Sequence, residues 1–136
     1  MLRGKRLEIR FVREIAQEIP VELASESEDR QGIDFFMHAD GKNVVAGQIT
    51  FFPEFAFDVK KSARAALRKG LPLVYVKLER AGSIRKATKI LLENKDLSSH
   101  ECLLVVERSG RILHKRVPLQ ELISLDLVPE GYSSKG

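Results

Sequence analysis

The feature that most constrains the fold is an apolar run at residues 71–78, which reads Leu-Pro-Leu-Val-Tyr-Val-Lys-Leu. Valine and tyrosine favour strands, and a nearly continuous apolar run without alternation is typical of a strand buried on both faces. Gly70 ends the helical pattern before this run, and Pro72 prevents that helix from continuing. Such a strand needs helices on both sides, so the sequence predicts an α/β protein with a mixed central sheet.

Apolar periodicity places the other elements around this strand. Helical spacing predicts three main helices, at residues 6–19, 57–69 and 84–94. β-Rich runs predict a short strand and two hairpins, at 21–24, 33–38 with 44–52, and 102–107 with 111–117. A polar, acidic stretch without periodicity, residues 25–32, predicts a loop, and residues 119–125 predict a short amphipathic helix.

Length and composition indicate a single soluble domain. The chain has 136 residues, of which 43% are hydrophobic, too many for a disordered protein. We expect one domain over residues 1–128 and a flexible tail over 129–136. The longest uncharged run, residues 43–53, is shorter than the ~20 residues that a membrane-spanning helix needs. A single cysteine, Cys102, excludes an internal disulfide, so a cytoplasmic location is expected.

The charges are strongly segregated along the chain. Residues 60–95 carry a net charge of +9, whereas residues 20–59 carry −6. A basic surface attracts nucleic-acid phosphates through counterion release, so nucleic acid is the expected partner, with DNA as its expected form. The alternative is a solvated surface that serves solubility. The residues predicted to contact nucleic acid are Lys60, Lys61, Arg64, Arg68, Arg85, Lys86 and Lys89.

The first hairpin contains the residues best suited to chemistry. Asp34 follows Gly32-Ile33, and Gln48 interrupts the apolar run of the next strand. A loop of residues 40–42 or 39–43 would place Asp34 opposite Gln48, whereas a two-residue turn would place Gly47 there, and the sequence leaves both pairings open. A carboxylate and an amide oxygen that converge at a sheet edge can hold a hydrated Mg²⁺.

This arrangement resembles the PD-(D/E)-x-K nuclease superfamily, which has the restriction-endonuclease-like fold. The shared pattern is a helix, an acidic strand within Gly-Ile-Asp-Phe, a hairpin, and a strand bearing (Glu/Gln)-x-Lys, followed by a helix and a strand. The resemblance covers residues 7–78 and implies an αβββαβ core with further elements at the carboxyl end. It also implies Asp34 and Gln48 as Mg²⁺ ligands and Glu14 or Glu18 as an assisting acid from the first helix.

The chain departs from the family pattern at one position. Thr50 stands where the family has its lysine, and threonine cannot supply a cation to the developing phosphorane charge. The resemblance therefore implies a nuclease-like, nucleic-acid-associated protein whose hydrolytic centre is degenerate. One alternative is an active Mg²⁺-dependent nuclease in which Lys60 or Lys61 reaches back into the site. The other is a non-enzymatic structural module that forms a homodimer through residues 51–57 or the 101–117 hairpin.

Overall fold

The computed structural model describes residues 3–39, 43–51 and 56–124, which form an α/β fold around one open six-stranded mixed sheet. The helices are α1 Arg3–Ala16, α2 Glu26–Arg30, α3 Ala56–Lys69, α4 Ile84–Glu93 and α5 Leu119–Ser124. The strands are β1 Val21–Leu23, β2 Phe35–Ala39, β3 Asn43–Phe51, β4 Leu73–Leu78, β5 Glu101–Arg108 and β6 Arg111–Pro118. A short 3₁₀ turn, Ala81–Ser83, precedes α4.

The strands follow one another across the sheet in chain order, from β1 at one edge to β6 at the other. Strands β1, β2 and β3 pair antiparallel. Pairing is parallel from β3 through β4 to β5, and antiparallel again between β5 and β6. The parallel steps need crossovers, which α3 and α4 provide. The mixed sheet predicted from the sequence is confirmed.

Strand β4 is buried on both faces, as its apolar sequence predicts. Every residue of β4 is buried. On one face Val74 and Val76 join the apolar layer beneath α1 and α4, and on the other face Leu73 and Tyr75 join the layer beneath α3 and α5. Each such side chain contributes about 1.5–3 kcal/mol on burial, so this strand anchors both halves of the core.

Residues 25–32 contain a helix where the sequence predicted a loop. Ser25 caps α2: its hydroxyl accepts a hydrogen bond from the Glu28 backbone N–H at 3.2 Å. The Glu28 carboxylate in turn accepts one from the Ser25 backbone N–H at 2.8 Å. This reciprocal capping box supports one short helical turn without apolar periodicity. The prediction was wrong because periodicity alone cannot detect a helix that buries no residue of its own.

Some expectations fall outside the described residues. These are the conformation of the Asp40-Gly41 turn, most of the 51–57 segment proposed as a dimer contact, and the tail at 129–136. Across the ranges that are described, no helix is both long enough and apolar enough to cross a membrane.

A buried carboxylate fastens the connection from β4 to α4. Glu107 of β5 is fully buried, and its carboxylate accepts hydrogen bonds from the backbone N–H groups of Glu79 and Arg80, at 2.8 and 3.3 Å. Arg80 Nε also donates to it at 2.9 Å. Burial opposes ionisation of Glu107, but the Glu79 and Ser83 hydrogen bonds, together with the hydrogen bond and charge of Arg80, outweigh it and lower the pKa of this carboxyl.

Substitution Glu107→Gln should lower the free energy of unfolding at pH 7 by about 1–3 kcal/mol, because a buried charged acceptor is lost. A lowered pKa in the folded state stabilises the fold above the pKa of the unfolded state, and this stability disappears as pH falls through the folded-state value. Denaturant titrations should therefore show the difference between wild type and variant shrinking below about pH 4. The exposed Glu121→Gln variant is the control, and equal stability of Glu107→Gln and wild type at pH 7 would contradict the prediction.

Candidate functional site

The candidate site lies at the edge of the sheet where the pairing of β3 changes from antiparallel to parallel. Strand β3 pairs antiparallel with β2 on one side and parallel with β4 on the other. The amino end of β2, which Asp34 precedes, therefore lies at the same edge as the carboxyl ends of β3 and β4. In open α/β sheets this edge, at a change in strand direction or order, is the common place for a ligand.

Asp34 and Gln48 face each other across the hairpin. Phe35 pairs with Gly47 and Ala39 with Asn43, so a three-residue loop, 40–42, connects the strands and Asp34 falls opposite Gln48. This register confirms the odd-length loop and excludes the two-residue turn. With the Gln48 amide oriented to satisfy its neighbours, its nitrogen donates to Asp34 Oδ2 at 3.2 Å and to the Gly32 carbonyl at 2.7 Å. In this arrangement Gln48 positions Asp34 through its nitrogen.

Asp34 also completes the sheet locally. Its Oδ2 accepts a hydrogen bond from the Ile49 backbone N–H at 3.0 Å, just beyond the last β2–β3 pair. The carboxylate thus replaces a backbone carbonyl that the shorter strand does not provide. This contact fixes Asp34 against β3, and it gives Asp34 a structural role whether or not a ligand binds.

Two glycines allow the chain to approach this closely. A side chain at Gly47 would overlap the ring of Phe35, which lies across it. Gly32 has a φ of +95°, a conformation that favours glycine, and the Ser62 hydroxyl donates to its carbonyl at 2.5 Å. Ser62 belongs to α3, so this bond ties the segment before Asp34 to the helix that follows the hairpin.

Three carboxylates from separate elements converge at Asp34. Glu8 of α1, Asp29 of α2 and Asp34 each place a carboxylate oxygen within 4.8 Å of the others. Asp34 is buried, Glu8 is half-buried and Asp29 is exposed, so the cluster opens to solvent on one side. Oxygen donors in this number are the ligands that Mg²⁺ and Mn²⁺ prefer. The donor set therefore fits a hard divalent cation.

The electrostatics of the cluster also favour a cation. Burial is the largest cause that raises the pKa of Asp34, followed by a hydrogen bond with Asp29 and the negative charge of Glu8, while the Ile49 N–H opposes the rise. Together these effects raise the pKa of Asp34 from 3.8 to about 8. Carboxylates this close cannot all ionise without either a proton or a cation between them.

The acid that α1 supplies is Glu8, and neither Glu14 nor Glu18 belongs to the cluster. Glu14 lies six residues further along α1, about 9 Å along the axis, and its Oε2 lies 3.8 Å from Arg85 Nε of α4. Glu18 follows the end of α1 and is exposed. The sequence did carry a signal for Glu8: it precedes the buried Phe11 and Val12 by three and four residues, which places it beside the buried face of the helix.

Asp29 was also missed as a site residue. It lies in α2, whose existence the sequence analysis did not predict, and a loop assignment gave no reason to select one acid among several. The capping pattern Ser25-Glu26-Ser27-Glu28 was the available signal, because it fixes the start of the helix and hence the position of Asp29 one residue after the box.

The predicted lysines lie on a helix that approaches the site. Lys60 is half-buried and Lys61 is exposed, in the α3 turn that contains Ser62. Ser62 contacts Gly32, so α3 does reach the segment before Asp34. A contact of either ammonium with Asp34 stays a prediction.

The predicted nucleic-acid contacts do not form one surface. Lys60, Lys61, Arg64 and Arg68 lie on α3, whereas Arg85, Lys86 and Lys89 lie on α4. These two helices cover opposite faces of the sheet. The +9 block at residues 60–95 is therefore divided between two sides of the molecule, because a count along the sequence does not record which side of the sheet a helix covers.

Thr50, which stands at the family's lysine position, has a charged neighbour in the sheet. Lys77 of β4 pairs with Thr50 in the parallel register and is 9% exposed. Gln48 pairs with Tyr75 two residues earlier, so Gln48, Thr50 and Lys77 share the face of the sheet that α3 covers.

Comparisons with known proteins do not assign the chain to a family. No family model matches it, and no significant match is found among curated proteins or among solved structures. The geometry and chemistry of the site are therefore the basis for a functional conclusion.

Substitution Asp34→Asn should remove a component of the pH dependence of stability. Because the folded-state pKa is raised to about 8, the folded protein holds a proton that the unfolded chain has lost. Without divalent ions, wild-type stability should fall as pH rises from about 4 to about 8, relative to the variant. Thermal melts in EDTA over this pH range, with the exposed Asp96→Asn as control, measure the effect. Parallel pH profiles for wild type and Asp34→Asn would contradict the raised pKa.

Proposed function

We propose that this protein is a nuclease-like, nucleic-acid-associated protein whose centre binds a divalent cation, Mg²⁺ or Mn²⁺, through Glu8, Asp29 and Asp34. The observation that carries the proposal is the convergence of these three carboxylates, from three elements, at a change in strand direction. Dispersed acids that the fold brings together beneath an open edge are typical of sites that bind cations and phosphates.

The order of elements supports a restriction-endonuclease-like core. Helix α1, strands β1 to β3, helix α3 and strand β4 follow the αβββαβ order that the sequence resemblance implies. The antiparallel β1–β2–β3 unit and the parallel β3–β4 pair agree with that arrangement. Helix α2 is then an addition between β1 and β2, and it brings Asp29 to the site.

A bound cation would change the chemistry of the cluster. It would neutralise part of the carboxylate charge and, when bound, would polarise a phosphodiester oxygen. Glu8 and Asp29 hold open carboxylate positions around Asp34, and Gln48 keeps Asp34 oriented through its amide nitrogen. Because Asp34 must lose its proton to act as a ligand, binding should become tighter as pH rises toward 8.

Activity depends on whether a cation other than the metal reaches the phosphate. Thr50 supplies no charge, so the first form of the proposal is a degenerate centre that binds nucleic acid and cleaves it slowly or not at all. The alternative is an active nuclease in which Lys60 or Lys61 supplies the charge. Cleavage of DNA with Mg²⁺ or Mn²⁺ above the level of an Asp34→Ala variant would favour the active form.

A non-enzymatic module is the second candidate. The hydrogen bond from the Ile49 N–H to Asp34 shows that this carboxylate also holds the sheet edge together. A stable homodimer with no affinity for divalent ions or nucleic acid would favour this candidate. The cytoplasmic location stays a prediction that rests on the single cysteine.

Glu8→Gln should weaken Mn²⁺ binding more than about tenfold, as loss of a supporting carboxylate commonly does. Glu14→Gln is the matched control, since it makes the same change on the same helix outside the cluster. Isothermal titration with Mn²⁺ at pH 6 and pH 8 measures both variants, and wild-type affinity should rise over this interval. Equal affinities for the two variants, or no Mn²⁺ binding by wild type, would contradict the metal proposal.

Charge reversal on α3 should reduce nucleic-acid binding more than the same reversal on α4. Phosphates at the site lie on the side of the sheet that α3 covers, so Lys60, Arg64 and Arg68, each changed to Glu, should flatten the slope of log K against log salt. That slope is about −0.9 per phosphate neutralised on duplex DNA. The matched control changes Arg85, Lys86 and Lys89 to Glu, and fluorescence anisotropy over a salt series compares the two. Equal losses from both triple variants would contradict a binding face on α3.

A further inference from the structure

A single charged residue lies within the most buried strand of the protein. Lys77 is the one charge in β4, its neighbours Val76 and Leu78 are fully buried, and Lys77 itself is 9% exposed. A lysine is rarely buried unless its charge has a role or a compensating partner, because desolvating an ammonium group is costly. A methionine or leucine would satisfy the packing of this strand without that cost.

The position of Lys77 relates it to the acidic cluster. It pairs with Thr50 in the parallel register, so their side chains leave the same face of adjacent strands, which are about 4.8 Å apart. Gln48 lies two residues before Thr50 on that face and contacts Asp34. The ammonium of Lys77 sits on a flexible four-carbon stem, so it can serve the same end of the sheet as the carboxylates.

We propose that Lys77 is the phosphate-binding cation of this site, supplied from β4 into the space that a lysine at position 50 of β3 would fill. This inference rests on the proposed function and adds to it the residue that contacts the phosphodiester. Thr50 is small enough to leave that space open, and an ammonium group there would donate a charge-assisted hydrogen bond to a non-bridging phosphate oxygen. The absence of a lysine from β3 is then a change of strand and not a loss of charge.

The arrangement also explains why two kinds of charge share one sheet edge. The carboxylates of Glu8, Asp29 and Asp34 would hold the cation from one side, and Lys77 would bind the phosphate from the neighbouring strand. A phosphodiester placed between them would meet positive charge on both sides. The ligand class is therefore a phosphodiester of nucleic acid, and a free carboxylate would satisfy the geometry of the site less well.

The test moves the ammonium from one strand to the next. Lys77→Met keeps the length of the side chain without its charge, and the double variant Thr50→Lys/Lys77→Met returns the charge to the same face from β3. Lys86→Met, on the exposed side of α4, is the matched control. Affinity for a short single-stranded DNA is measured by anisotropy in Ca²⁺, and affinity for Mn²⁺ alone by calorimetry. Thermal melts establish that each variant folds, and Lys77→Arg serves if Lys77→Met does not.

Lys77→Met should bind the oligonucleotide about tenfold more weakly, which is the loss of one hydrogen bond to a charged group, while Mn²⁺ binding is retained. The double variant should recover most of the lost affinity, and Lys86→Met should change it little. Wild-type oligonucleotide affinity in Lys77→Met, or no recovery in the double variant, would overturn the role of Lys77 alone. Failure of wild type to bind Mn²⁺ and the oligonucleotide would overturn the proposed function, and the role of Lys77 with it.

Discussion

Burial of β4 on both faces is the constraint on which the rest of the structure depends. Because β4 exposes no residue, it needs apolar layers on both sides, which α1 with α4 and α3 with α5 provide. It also needs a strand on each side, and β3 and β5 pair with it in parallel. The change from antiparallel to parallel pairing at β3 follows, and it creates the edge where Asp34 lies.

The acidic cluster is a local conflict within an otherwise consistent fold. Buried and mutually repelling carboxylates lower stability at neutral pH, yet the chain positions Asp34 with hydrogen bonds from both Ile49 and Gln48. Stable proteins usually avoid such an arrangement unless a ligand compensates for it. A divalent cation between Glu8, Asp29 and Asp34 would remove the repulsion, which is why we interpret the cluster as a binding site.

Sequence patterns predicted the elements whose burial is periodic. The buried strand β4, the position of Gly70 at the end of α3 and the Asp34–Gln48 hairpin all follow from apolar spacing and turn residues. The site itself was predicted only in part, because Glu8 and Asp29 reach Asp34 through the packing of α1 and the capped turn α2. Tertiary contacts of this kind leave no spacing in the sequence. The division of the basic residues between α3 and α4 was hidden for the same reason.

The measurement that tests the central claim most directly is a crystal structure of the protein soaked in Mn²⁺, with anomalous data that locate the ion. The account predicts one Mn²⁺ bound by carboxylate oxygens of Glu8, Asp29 and Asp34, with Asp34 still fixed to β3. Crystals that hold no Mn²⁺ at this cluster at near-saturating concentration, or that hold it elsewhere with these carboxylates unchanged, would contradict the account.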